Sequence, residues 1–238
     1  MAHEPAQRCG SKLSSRIRIE SSFTILFTAL VVLFLLLPYF ITHFIALELI
    51  VMAISAGLVA GVYALSRNRR LLTVAIVLVV LNQGLHWSML MSYDPALVLL
   101  SQISQTVFYG FATVFIIQHL FRGSKVTTET VFAVLCGYLL LGIVWASVYG
   151  LIELLSPGSF VSGGEPIFDS HLEQLDQRRG STLFYFSFVT LTTLGYGDVT
   201  PGTAAAGTFA ALEAITGQLY IAILIARMVA MRVVDLKQ

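Results

Sequence analysis

Six apolar stretches, each long enough to cross a bilayer, leave this chain few folds to choose from. A transmembrane helix needs about 20 apolar residues to span roughly 30 Å of hydrocarbon. The runs lie at 23–41, 45–65, 71–91, 95–121, 131–155 and 207–234, and only Thr42, His43 and Phe44 separate the first two. Charge is correspondingly scarce: 11% of residues are Asp, Glu, Lys or Arg, against about 25% in soluble domains. That excludes a soluble enzyme, a nucleic-acid partner and a disordered chain. No nucleophile–base set, metal cluster or phosphate loop supports an enzyme. The net charge of +1 selects no acidic or basic partner. Cys9 lies in a polar stretch and Cys136 in an apolar run, which argues against a disulfide between them. The expected fold class is an all-α integral membrane protein with six transmembrane helices, its partner the lipid bilayer.

Orientation follows from where the basic residues fall. Arg8, Lys12, Arg16 and Arg18 precede the first run, and Arg67, Arg69 and Arg70 follow the second. Arg122 and Lys125 follow the fourth, and Arg227, Arg232 and Lys237 close the chain. Twelve of the fourteen basic residues thus share one side, with only Arg178 and Arg179 opposite, beside Glu165, Asp169, Glu173 and Asp176. Both termini are therefore expected in the cytoplasm. Residues 1–22 form a cytoplasmic segment whose Lys12, Leu13, Arg16, Ile17, Arg18 and Ile19 suit either a positive-inside anchor or contact with anionic lipid. The first run is too long for a signal peptide and lacks a small-residue cleavage site. The absence of a signal or transit peptide points to a prokaryotic inner membrane.

One connection is long. Residues 156–206 lie on the outer side, and 156–180 read as loop, with Pro157, Gly158, Gly163, Gly164 and Pro166. The next residues turn apolar again. Thr182–Thr193 is too short to cross but suits a re-entrant half-helix over 181–193, capped by Ser181. Irregular backbone is tolerated at membrane depth only where protein or a watery path surrounds it. A half-helix with a glycine-rich return therefore points to a pore.

The return reads Thr192-Thr193-Leu194-Gly195-Tyr196-Gly197-Asp198. This resembles the selectivity-filter signature of potassium channels, T-V-G-Y-G-D, with Leu194 in place of valine. In that role successive carbonyls replace the hydration shell of the permeant K⁺. Their common direction needs a backbone alternating between right- and left-handed, which Gly195 and Gly197 adopt without a Cβ penalty. The resemblance implies K⁺ coordination at Thr193, Leu194, Gly195 and Tyr196, completed by Gly197, with a hydroxyl ring from Thr193 at the inner end. It places Asp198 at the outer mouth and has Tyr196 brace the filter against the half-helix. K⁺ is the permeant ion; no cofactor and no small-molecule ligand is implied. One filter needs four copies of the loop, so the chain is expected to be a homotetramer, its half-helix dipoles favouring a cation in the cavity.

The resemblance divides the chain into a four-helix domain over 23–122 and a pore domain over 128–234. The latter comprises outer helix 131–155, outer loop 156–180, pore helix 181–193, filter 193–198 and inner helix 207–234. In the inner helix, Gly217 stands 20 residues after Gly197, near where this family places a hinge glycine. A close-packing role is the alternative. Gln218, Ile221, Ile225 and Val229 recur on one face, a stripe that with Thr192 would line the cavity and that equally suits a buried helix. Ala222, Ala226 and Ala230 would let neighbouring helices approach.

The chain also departs from the family. From Pro95 to Phe121 there is no Lys or Arg, whereas a voltage sensor draws about 2.3 kcal/mol per charge per 100 mV from an arginine-rich fourth helix. Gating by a charged fourth helix is not expected. Four residues follow Val234, so no cytoplasmic regulatory domain is expected there. Where many relatives carry a tryptophan pair behind the filter, this chain has Tyr185 and Phe186. The Tyr185 hydroxyl suits either a bond to Asp198 or a place at the membrane interface. Glu213, an intramembrane carboxylate one turn before Gly217, is a functional candidate. It is expected to brace the filter by accepting from Thr190 or Ser187, with a cavity-facing or silent carboxyl as alternatives. Asn82, Gln83, His86, Gln102 and Gln105 are expected to hydrogen-bond between helices. The leading expectation is a passive K⁺-selective channel. The alternatives are a poorly selective cation channel, should Leu194 disturb the filter, and a non-conducting sensor or assembly subunit.

Overall fold

A computed structural model of the chain describes residues 24–32, 34–35, 52, 55, 57–58, 69–92, 94–122, 128–167 and 177–235. Most of the first two apolar runs, the N-terminal segment and the acidic part of the outer loop lie outside the described residues. Residues 24–32 are helical. After them come α1 (Arg69–Ser92), α2 (Pro95–Arg122) and α3 (Thr128–Leu155). Strands β1 (Phe160–Ser162) and β2 (Glu165–Pro166) lead to α4 (Gln177–Leu191), β3 (Thr200–Pro201) and α5 (Ala204–Asp235).

Among the described residues, α1, α2, α3 and α5 are long and apolar enough to cross a membrane, and α4 is a shorter apolar helix. Local signals set several of their ends. Asp94 caps α2, its carboxylate accepting from the Ala96 amide at 2.9 Å, and Pro95 takes the first helical position, where no amide is needed. Thr203 does the same for α5, accepting from the Ala206 amide at 3.3 Å. Ser156-Pro157-Gly158 ends α3. The half-helix starts earlier than its sequence suggests: α4 begins at Gln177, so Ser181 lies inside the helix and does not cap it. Gln177, Arg178 and Arg179 are good helix formers, and the permissive Gly180 does not interrupt them.

The helices pack in chain order, α1 on α2, α2 on α3, α3 on α4 and α4 on α5. Phe108, Ala112, Ile116 and Leu120 recur every four residues on α2 and are buried against Ala133, Cys136, Leu140 and Ile143 of α3. Gln102 crosses the same interface, its amide donating to the Ser147 carbonyl at 2.9 Å. The amide lies where a side chain on Gly150 would stand. At the other end of α2, Arg227 of α5 donates to the Leu120 carbonyl, a cation against the exposed carbonyls of a helix C-terminus.

The outer loop is not plain loop. β1 pairs antiparallel with β2 across Gly163 and Gly164, both left-handed at φ 61° and 90°. Glycine pairs of that kind suit a two-residue hairpin. β1 also pairs with β3, matching Phe160 to Pro201 and Val161 to Thr200. Glu153 accepts from the Gly158 amide at 2.7 Å and from the Phe160 amide at 3.2 Å, fixing the chain between α3 and the sheet. Phe160 is buried in a mutually edge-on cluster with Tyr149 and Phe186, ring centroids 5.1–5.2 Å apart. The segment that follows Asp198 is thereby tied to the C-terminal end of α3.

Candidate functional site

α4 ends at Leu191 because the backbone turns over. The Thr193 amide donates to the Thr190 carbonyl at 2.9 Å, and the Leu194 amide to the Val189 carbonyl, also at 2.9 Å. From there the conformation alternates: Thr193, Gly195 and Gly197 are left-handed at φ 57°, 60° and 79°. Leu194 and Tyr196 between them have negative φ. A backbone that changes hand at every residue turns successive carbonyls toward one side, the geometry a filter requires. The two glycines follow from the sequence. Thr193 does not, since a β-branched residue at positive φ is a steric outlier that its surroundings must hold in place.

Residues Thr192–Asp198 are all exposed in the single chain. Tyr196, expected to brace against the half-helix, is 67% exposed. Its own chain does not cover it, because α4 turns its buried face, Leu183, Phe186, Ser187 and Leu191, inward to α3 and α5. Tyr185 stands at the outer end of the return and donates to the Asp198 carboxylate at 2.8 Å. That bond, with the nearby negative charge, raises the Tyr185 phenol above its ordinary range. Of the two sequence-level readings of Tyr185, the structure realises the bond.

Behind the half-helix, Glu213 is fully buried. It accepts from Ser187, one of the two partners anticipated, at 2.5 Å. Its second partner is Tyr149 rather than Thr190. Ser187 also lies 2.8 Å from the Gly142 carbonyl, so one carboxyl connects α3, α4 and α5. Tyr149 belongs to the aromatic cluster as well, which continues this network into the outer sheet. Nothing in the local sequence singles out Tyr149, 64 residues from its partner.

Gly217 is buried, and a Cβ built on it would lie 2.4 Å from the Leu191 carbonyl oxygen and 2.9 Å from Leu191 Cδ1. α5 runs unbroken through this point from Ala204 to Asp235. Contact with the end of the half-helix therefore gives this glycine a close-packing role. Tyr138 of α3 donates to the same Leu191 carbonyl at 3.3 Å, so the last turn of α4 is gripped from both sides. Gly217→Ala is expected to lower the melting temperature of the purified protein, since overpacking of this kind costs about 1–3 kcal/mol. An unchanged melting curve would show that the two helices separate freely.

The residue after Gly217 reaches the site directly: Gln218 donates from Nε2 to the Thr193 hydroxyl at 3.2 Å. Thr192 instead donates to the Phe188 carbonyl at 2.6 Å, back into its own helix. Ile221, Ile225 and Val229 are exposed, as the lining stripe requires, but so are Leu212, Ile215, Leu219 and Ile223. The uncovered apolar surface of α5 is thus broader than one stripe.

Residues 133–233 match the model of a protein family described as ion channel. This stretch is similar to ion channels. The match, less than half of the chain, runs from the second turn of α3 to near the end of α5. It takes in the half-helix, the alternating return and Glu213. No curated protein matches the chain. The channel-like stretch is joined to α2 by Gln102 and Arg227, and the chain is a mostly helical membrane protein.

Proposed function

We propose that the protein is a passive, K⁺-selective channel formed by four copies of this chain, with Thr193, Leu194, Gly195, Tyr196 and Gly197 as the filter. The observation that carries this reading is the left-handed backbone at every second residue, Thr193, Gly195 and Gly197. Such a segment presents a row of carbonyls to one axis, and carbonyl dipoles at fixed positions select a dehydrated cation by size and field strength. Assembly about a four-fold axis is supported by the surfaces one chain leaves uncovered: the filter residues and the apolar face of α5. Apolar surface this extensive marks contact with lipid or with other protein. Tyr196 would then find its cover on a neighbouring copy.

Asp198 stands at the outer mouth, held by Tyr185, and Glu213 braces the filter from behind through Ser187 and Tyr149. Thr192, Gln218, Ile221, Ile225 and Val229 line the inner cavity. Six spans with both termini in the cytoplasm complete the topology. α2 carries no Lys or Arg before its final Arg122, so the pore is not opened by a moving charged fourth helix.

Flux from proteoliposomes tests the proposal. K⁺ and Rb⁺ are expected to pass and Na⁺ to be excluded, with Ba²⁺ blocking. Equal Na⁺ and K⁺ flux would establish a poorly selective cation pore instead. Silence from correctly inserted protein would favour a sensor or assembly subunit.

A further inference from the structure

We propose that Gln218 is a positioning residue for the innermost cation site, holding the Thr193 hydroxyl that forms it, and that Gly217 sets the helix approach this requires. The inference rests on the reading of Thr193–Gly197 as a K⁺ filter and assigns the control of one site within it.

Three observations converge. First, Thr193 is the strained member of the alternating segment, the one residue other than glycine with positive φ among the described residues. Such a conformation persists only where neighbours over-determine it. Its backbone amide is engaged with Thr190 and its side chain with Gln218. Second, α5 comes so close to the end of the half-helix that only glycine fits at 217. The next residue along α5 is thereby delivered to the inner end of the filter. Third, Thr192 cannot supply the same service, because its hydroxyl is committed to the Phe188 carbonyl.

The chemistry of the pair is specific. A threonine hydroxyl has one proton and two lone pairs. By donating an N–H to Thr193, Gln218 occupies one lone pair and removes one of the positions open to the hydroxyl proton. The second lone pair stays available to a cation. Glutamine does this without bringing a charge to the cavity, and its own Oε1 remains a neutral acceptor beneath the filter. Four such amides would hold a ring of four hydroxyls in one arrangement. Preorganised acceptors of this kind bind a cation more tightly than a ring that must reorganise.

Ba²⁺ is a suitable probe, being a doubly charged cation of nearly the size of K⁺ that hydroxyl and carbonyl oxygens can ligate. Full-length protein is titrated with Ba²⁺ by calorimetry, and its melting temperature is measured alongside. Gln218→Met keeps the length and removes the donor; Gln218→Asn keeps the amide and shortens the arm. Both are expected to weaken Ba²⁺ binding about tenfold, the loss of one hydrogen bond to a fixed acceptor, with little change in melting temperature. In a Thr193→Val background, Gln218→Met should have no further effect, because the pair acts through one hydroxyl. Binding within twofold of wild type, or losses that simply add in the double variant, overturns the proposal. K⁺ flux through the wild-type protein separates this failure from failure of the channel reading, which silence would bring down instead.

Discussion

Gly197→Ala is expected to reduce K⁺ flux by about a hundredfold or more while the protein still folds and inserts. Gly197 has φ 79°, and a Cβ built there meets nothing within 4 Å. Steric contact with the rest of the chain is therefore not the obstacle. The penalty lies in the residue itself, where an L side chain in the left-handed region costs about 1–2 kcal/mol. In a four-fold pore the penalty is incurred four times, so ~4–8 kcal/mol bears on one short segment. The segment relieves it by flipping peptide planes, and a flipped plane turns a carbonyl out of the axis. Gly163→Ala supplies the control. It has φ 61° and equally open surroundings, but sits in the outer hairpin, so it should lower stability slightly and leave flux intact. Equal flux loss in both variants, or none in Gly197→Ala, would contradict the assigned role of the alternating backbone.

Removing the carboxyl behind the half-helix is the second large effect. Glu213→Ala strands the Tyr149 hydroxyl in a fully buried position and opens a void between three helices. Together these cost about 2–4 kcal/mol per chain, read as a large fall in melting temperature and as loss of K⁺ over Na⁺ discrimination. Glu213→Gln should be much milder. Its carbonyl still accepts from Tyr149, and its amide donates to Ser187, freeing the single Ser187 proton for the Gly142 carbonyl 2.8 Å away. If Gln and Ala are equally damaging, negative charge rather than the hydrogen-bond network is what position 213 supplies.

These two positions differ in how far a reader of the chain could foresee them. Gly197 is legible because the reason for the glycine is local: its own backbone conformation, in a motif of a few residues. Glu213 is half legible. A carboxylate in an apolar run demands partners, and Ser187 could be guessed, yet Tyr149 could not, since no pattern on α3 marks it off from its apolar neighbours. The small outer sheet shows the same division. Gly163-Gly164 announces a hairpin, but the pairing of β1 with β3 joins residues about forty positions apart and has no signature in either strand. Thr193 is the clearest omission. Sequence reasoning allots positive φ to glycine, whereas here a β-branched residue adopts it at the turn that ends α4.

By itself, then, the sequence determined the features that solvent and local backbone freedom dictate. Long apolar runs must span lipid as helices, because unpaired backbone is prohibitively costly there. Gly195 and Gly197 permit the left-handed steps of the return. The tertiary structure decided which residues meet across those helices. It placed Gly217 against the Leu191 carbonyl as a point of contact, sent Gln218 to Thr193 and Tyr149 to Glu213, and tied α2 to the channel-like stretch through Gln102 and Arg227. An apolar helix in lipid has no wet face to set its rotation, so its partners are chosen by the fit of small gaps and single polar groups, and that fit exists only once the helices are assembled.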